Sequence, residues 1–220
     1  MHAIEGAAAR PAAPSGLRER KKQRTRDTLI RSALELFARK GYERTTVDEI
    51  AEAAEVSQRT FFRYFANKDE VALAMHTALD ALFLATLRSR PAPEAPLAAL
   101  RGAVLDTWDG ASGVIEAVVP LELHMRTYRM IESTPQLLAA RLRLLSEVEE
   151  QLAGEIARRE GLDLRADPRP HVLVAAFGGV MRVTARIWGE HGEGGPDDLR
   201  RLTVTYLDQL GPALAENWRA

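Results

Sequence analysis

From about Arg24 the apolar residues fall three and four positions apart and keep that spacing along most of the chain, the period of amphipathic helices. Leu29, Ile30, Ala33, Leu34 and Phe37 form a first stripe, and Gly41 ends that helix. Thr46 opens T-V-D-E, a capping box in which Glu49 reaches back to the Thr46 N–H. The helix behind it buries Val47, Ile50, Ala51 and Ala54. Ser57 caps a short helix, QRTFFRYF, and Asn67 caps a long one from Lys68 to Arg88 that carries Val71, Met75, Ala78, Leu82 and Ala85 along one side.

The three prolines of RPAPEAPL, from Arg90, form a turn. Beyond it the spacing predicts helices over about 95–109, 113–130, 135–159, 169–190 and 196–217. Pro120 kinks or splits the second of these, and Pro135 sits at a first helical position after Thr134. Gly161 and the HGEGGPDD stretch mark the later breaks. With neither β-branched alternation nor an Asn-Gly or Asp-Gly turn, the chain is expected to be all-α.

Composition narrows the class. A hydrophobic share of 46% is that of a globular protein, and the absence of cysteine excludes disulfides and zinc–thiolate sites. No metal or cofactor is expected. The first twenty residues hold no apolar stretch of signal-peptide length, and Val172 to Met181 is about half of a bilayer span, so the expectation is a cytoplasmic chain with no membrane partner. Arginine outnumbers lysine 26 to 4, which reads as the coding bias of a GC-rich bacterial genome.

The net charge of −1 hides an uneven spread: residues 1–75 carry +3 and the remainder −4. Arg18 to Arg26 holds six basic residues and one acidic one. Alone, such a run is a solvated segment; beside a DNA-binding motif it is a phosphate-contacting arm.

That motif lies just downstream. The helices at about 47–54 and 58–65 are separated by Glu55-Val56-Ser57, a turn of helix-turn-helix length. Ile50 and Ala51 pack the first helix, Val56 plugs the turn, and Phe61 and Phe65 anchor the second, leaving Gln58, Arg59, Thr60, Arg63 and Tyr64 outward. Arginine suits guanine, glutamine adenine, and a threonine methyl thymine. Tyr64 and Lys68, with the helix N-terminus after Asn67, suit phosphates, and Thr46 and Ser57 sit at the helix starts beside them. From periodicity alone, a helical hairpin with polar tips facing water remains the alternative.

The run T-V-D-E-I-A-E-A-A-E-V-S-Q-R-T-F-F-R-Y-F-A-N-K-D-E-V, preceded by L-F-A-R-K-G-Y-E-R-T-T, resembles the DNA-binding domain of TetR-family bacterial regulators over about residues 24–71. The resemblance implies a three-helix head that binds a double-stranded DNA operator, a helical body that binds a small-molecule effector, and a homodimer formed by the last two long helices. The chain then divides into a disordered basic arm (1–23), a helix-turn-helix domain (24–70) and a ligand-binding and dimerisation domain (71–220). Three positions depart from the family pattern. Glu55 stands where glycine is frequent, at a cost of roughly 1 kcal/mol if the position is left-handed. Arg59 replaces another glycine and places a long cation at the DNA. Phe62 replaces a tyrosine and removes one phosphate-bonding hydroxyl.

In the body, VLVAAFGGVMRV (172–183) is apolar on nearly every face and is expected to be buried all round. Its small residues Ala175, Ala176, Gly178 and Gly179, with Val183, would admit a second helix, and Leu202, Tyr206 and Leu210 offer a matching ridge. Two such helices per subunit would make a four-helix interface, and the Lys68–Arg88 helix would be the lever from effector to DNA. Candidate effector contacts are Trp108, His124, Met125, Tyr128 and Phe177, whose alternative role is plain core packing, and Arg126, Arg129 and Arg182, which would suit an anion. The S-x-R-T-F-F-x-Y-F variant is similar to regulators that sense acyl-CoA thioesters, so the effector class stays open between an acyl-CoA and a hydrophobic natural product.

An enzyme is disfavoured: no G-x-S-x-G, H-E-x-x-H or phosphate-binding glycine loop is present, and Glu122 and His124, two apart, point to different sides of a helix. The acids and histidine of GEHGEGG, from Gly189, fit an inter-helix loop better than a metal site. Two other readings stay open: a helical adaptor whose basic arm binds protein, and a regulator of the same fold that activates or answers to no ligand.

Overall fold

The computed structural model describes residues 15–191 and 195–215, and among these there are helices and no strands. In chain order they are α1 (Ser15–Lys40), α2 (Val47–Ala53), α3 (Gln58–Phe62), α4 (Lys68–Ala72), α5 (Ala74–Ser89), α6 (Pro96–Glu116), α7 (Leu121–Ser133), α8 (Pro135–Glu160), α9 (Arg169–His191) and α10 (Pro196–Ala215).

Local chemistry sets most boundaries. Gly41 stops α1 at a φ of +89°, and Gly161 stops α8 at +66°. The capping box at Thr46 is formed on both sides, and Ser57 and Asn67 each accept a hydrogen bond from the N–H three residues on. Pro135 and Pro96 sit in first turns, where the missing N–H costs nothing.

Four expectations change. First, α1 begins at Ser15, so residues 15–23 are helix and not a disordered arm; the rest of that arm lies outside the described residues. Arginine, lysine, glutamate and glutamine propagate a helix without burying a face, so apolar periodicity misses this extension. Second, the 68–88 lever is interrupted at Leu73, with ψ near zero, into α4 and α5. Third, α6 runs through to Glu116, because Ala111 and Ile115 keep its buried face going, and Pro120 splits the next helix off at Leu121. Fourth, α9 is not buried all round: Val172 is 65% exposed and Val183 37%. Arg169–Glu190 is long and apolar enough to cross a membrane by length and composition, but Val174, Phe177 and Trp188 are buried against the chain's own core.

Two apolar clusters hold the molecule. One joins α1–α4 to Ala111, Ile115, Val119, Ile131, Leu137 and Ala140 of the body. The second is built from α5, α6, α8, α9 and α10 around Leu87, Leu100, Leu152 and Phe177. A buried hydroxyl pair, Thr203 donating to Thr184 at 3.1 Å, ties α10 to α9.

Candidate DNA interface and effector cavity

The α2–α3 turn is a Schellman motif. The Val56 N–H donates to Ala51 O and the Glu55 N–H to Glu52 O, both at 2.9 Å. Glu55 takes the left-handed conformation, φ +53°, at the position where the family resemblance implies a frequent glycine. Val56 then packs into the head cluster, and Ser57 caps α3 through the Thr60 N–H at 3.2 Å.

One side of α3 is clamped and the other is open. Phe61 is fully buried, with the rings of Phe62 and Phe65 at 5.4 and 5.8 Å. Ser57, Gln58, Arg59, Thr60, Phe62 and Arg63 line one shallow surface groove. Arg63 lies 5.2 Å over the Tyr64 ring, in the turn after α3, so the helical part ends at Phe62 instead of 65. Phe62 is 50% exposed on this face and is an apolar contact that the list of polar candidates omitted. Arg26 sits 5.1 Å over the Phe65 ring, which brings the basic start of α1 beside the end of α3.

The other DNA candidates have structural employment. Thr46 closes the capping box with Glu49, which also pairs with Lys40; these bonds hold the Glu49 carboxyl at about 2. Lys68 Nζ donates to the carbonyls of Tyr42 (2.9 Å) and Thr45 (3.0 Å) and lies 4.1 Å over the Tyr42 ring, so it fastens the α1–α2 turn to α4.

In the body, a cavity of about 400 Å³ opens between α5, α6, α7, α8, α9 and α10. Of the candidate effector contacts, Trp108, Tyr128, Phe177 and Arg182 line it. His124, Met125, Arg126 and Arg129 do not. His124 is buried behind the wall, its ring 5.8 Å from His76; Arg126 donates to Ala38 O at the end of α1; Arg129 lies over Trp188 at 4.9 Å. Wall residues absent from the sequence candidates include His76, Asp80, Phe83, Glu132, Arg141 and Glu149. Their charges resemble a solvated helix face until α8 is laid against α5.

The wall is chiefly aromatic and aliphatic, with Phe83 and Phe177 stacked at 5.9 Å. Its cations are matched. Arg141 grips Asp80 with both Nη atoms, Nη2 to Oδ1 at 2.9 Å, and Arg182 pairs with Glu149. Arg186 pairs with Glu190 at 2.9 Å. Burial pushes the imidazoles of His76 and His124 down, the latter to about 4, and raises Glu132 and Tyr128. His76 Nδ1 and His124 Nδ1 are buried without a hydrogen-bond partner.

On the outer side, Val172, Ala175, Gly179 and Val183 follow one another along α9, and a Cβ on Gly179 would meet nothing within 4 Å. Tyr206 of α10 is 37% exposed, with Leu202 and Leu210 half-buried beside it, while Ala176 is half-buried in the chain itself.

Comparison with known proteins places this architecture. Residues 29–75 match the signature "Bacterial regulatory proteins, tetR family", and residues 94–215 match the MftR C-terminal domain. The chain is 50% identical over 208 residues to the HTH-type transcriptional regulator TcmR of Streptomyces glaucescens, covering 93% of this chain and 90% of that one. Among solved structures it resembles Thermus thermophilus FadR, a TetR-family repressor in complex with lauroyl-CoA (TM-score 0.52, 24% identity, 89% and 98% coverage). It also resembles SmeT, the repressor of the Stenotrophomonas maltophilia multidrug efflux pump SmeDEF (TM-score 0.55, 21% identity, 86% and 89% coverage). At those identities the two structures speak to the fold alone. The head signature, the body signature and the relative at half identity agree along nearly the whole chain: it belongs to the TetR family and is a DNA-binding transcriptional regulator.

Proposed function

We propose that the chain binds a near-palindromic operator in the cytoplasm as a homodimer, acts as a repressor, and is released by an uncharged, largely apolar effector held in the body cavity. The observation that carries the reading is the outward face of α3. Gln58, Arg59, Thr60, Phe62 and Arg63 share one open groove while Phe61 and Phe65 lock the helix from behind. A rigid helix with base-reading tips is what sequence recognition needs. Thr46, Ser57 and Lys68 hold that helix pair in place from the phosphate side. The α9–α10 face of Ala175, Gly179, Val183, Leu202, Tyr206 and Leu210 supplies the two-fold contact.

The effector class follows from the walls. A volume of about 400 Å³ fits a drug-sized ligand. Arg141, Arg182 and Arg186 each already hold a carboxylate, so a polyanion such as an acyl-CoA must break an ion pair to gain a partner. This favours a hydrophobic natural product over a thioester of coenzyme A.

Selection from random duplex DNA at physiological salt tests the reading. One inverted repeat with half-sites about one helical turn apart, roughly 34–36 Å, is the expected product. Arg59→Ala should then weaken binding by about 5- to 150-fold, the value of roughly 1–3 kcal/mol for a lost base contact. Sequence-blind binding that disappears with salt would overturn the regulator mechanism and leave a basic adaptor surface.

A further inference from the structure

The cavity and the DNA-binding head share a wall. The first two turns of α8 bury Leu137 and Ala140 in the head cluster, while Leu138 and Arg141 face the cavity. Each end of this segment is fastened by a polar contact to a different element. On the cavity side Arg141 clasps Asp80 of α5 with two hydrogen bonds. On the head side Gln136 Nε2 donates to both carboxylate oxygens of Asp69 in α4, at 3.1 and 3.2 Å.

Asp69 is itself a junction. It accepts a hydrogen bond from the buried Tyr42 hydroxyl, which burial and the carboxylate together keep protonated. Tyr42 packs on Phe37 at 5.3 Å, and its carbonyl, with that of Thr45, is held by Lys68. Thr45 directly precedes the cap of α2. A continuous set of contacts thus runs from Asp80 through Arg141, α8, Gln136, Asp69 and Tyr42 to the helix-turn-helix. The α4–α5 connection, by contrast, loses its helical continuity at Leu73.

We infer that α8 carries the state of the cavity to the head, with Gln136 and Asp69 as the positioning residues of the switch. An apolar effector seated against Leu138 in the cavity pushes α8 away from α5 and loosens the Asp80–Arg141 clasp. The freed turn then shifts Asp69, and with it the angle at which α2 and α3 meet DNA. The inference rests on the proposed effector-controlled function and assigns it a route.

The test is a double-variant cycle in the full-length protein, with Asp80→Asn as a stand-in for the effector and two readouts. The first is affinity for the selected inverted repeat. The second needs no DNA: hydrogen exchange of the α4 amides. Asp80→Asn alone should weaken repeat binding by about fivefold or more, the low end of ordinary allosteric coupling, and speed α4 exchange. In a Gln136→Ala background the same substitution should change either readout by less than about twofold, because the Gln136–Asp69 link that passes the change to the head is already gone. Gln136→Lys keeps a donor for Asp69 and should restore the response, which a merely structural role of Gln136 would not produce. Where Asp80→Asn fails to fold, Arg141→Lys breaks the two-pronged geometry while keeping the charge. Equal effects of Asp80→Asn with and without Gln136 overturn the inference, as does unchanged α4 exchange. Failure to select any repeat would sink the function proposed above, while the exchange cycle would still decide the route.

Discussion

Glu55 occupies a backbone position built for glycine, and replacing it isolates the cost. At φ +53° its Cβ crowds the following carbonyl, which costs an L-residue roughly 1–2 kcal/mol. Glycine removes that strain but gives the unfolded chain more freedom, an offset of about 0.4–1 kcal/mol. The Glu55 side chain is exposed, and the two Schellman hydrogen bonds are made by backbone that glycine retains. Glu55→Gly is therefore expected to stabilise the protein by about 0.5–1 kcal/mol. Urea unfolding at one fixed protein concentration should show it as a midpoint raised by about 0.2–0.5 M, with an unchanged slope. Glu55→Ala removes the same carboxylate and keeps the Cβ, so it should bring no comparable gain. If alanine matches glycine, the effect belongs to the charge and the strain argument is refuted.

Two further substitutions probe the site and its surroundings. Ser57→Ala removes the side-chain acceptor for the Thr60 N–H at the start of α3; a loss of about 1 kcal/mol in chemical denaturation is expected, and an unchanged midpoint would mean that water replaces the cap fully. His124 titrates near 4 in the folded protein against an ordinary value of 6.5, so the unfolded chain takes up its proton first. Stability should be complete above pH 6.5 and decline as the pH falls toward 4, by on the order of 3 kcal/mol at the limit. His76, shifted in the same direction, adds to the decline. In the paired comparison His124→Leu should flatten that part of the stability–pH curve, and an identical curve would show that His124 is not held neutral.

The helix-turn-helix was legible because its determinants are local. Thr46, Ser57 and Asn67 each bond three residues onward, and Gly41 and Gly161 terminate helices through their own φ angles. Phe61 and Phe65 announced the buried side of α3 and of the turn after it by spacing alone. The cavity was only half legible. Trp108, Tyr128 and Phe177 stand out as aromatics on apolar stripes, but Asp80 and Arg141 meet across 61 positions of sequence, and nothing near either marks the pair. His124 and Arg129 have the chemistry of a binding site and the placement of supporting structure. The start of α1 was missed for a third reason: Arg18 to Arg26 form helix by backbone propensity, with no apolar stripe to announce it.

The division of the core into two apolar clusters bears on how such proteins exchange parts. The head cluster does not stop where the DNA-binding segment ends; it continues into Ala111 and Ile115 of α6, Val119 in the link after it, Ile131 of α7, and Leu137 and Ala140 of α8. A hybrid regulator joined at residue 70 would thus strand the underside of its head against foreign side chains, leaving voids or clashes at a shared apolar seam. A graft that takes these positions and residues 71–75 along with residues 1–70 would transplant the packing together with the operator specificity. The seam suited to recombination is the gap between the clusters, which no single cut in the sequence can follow.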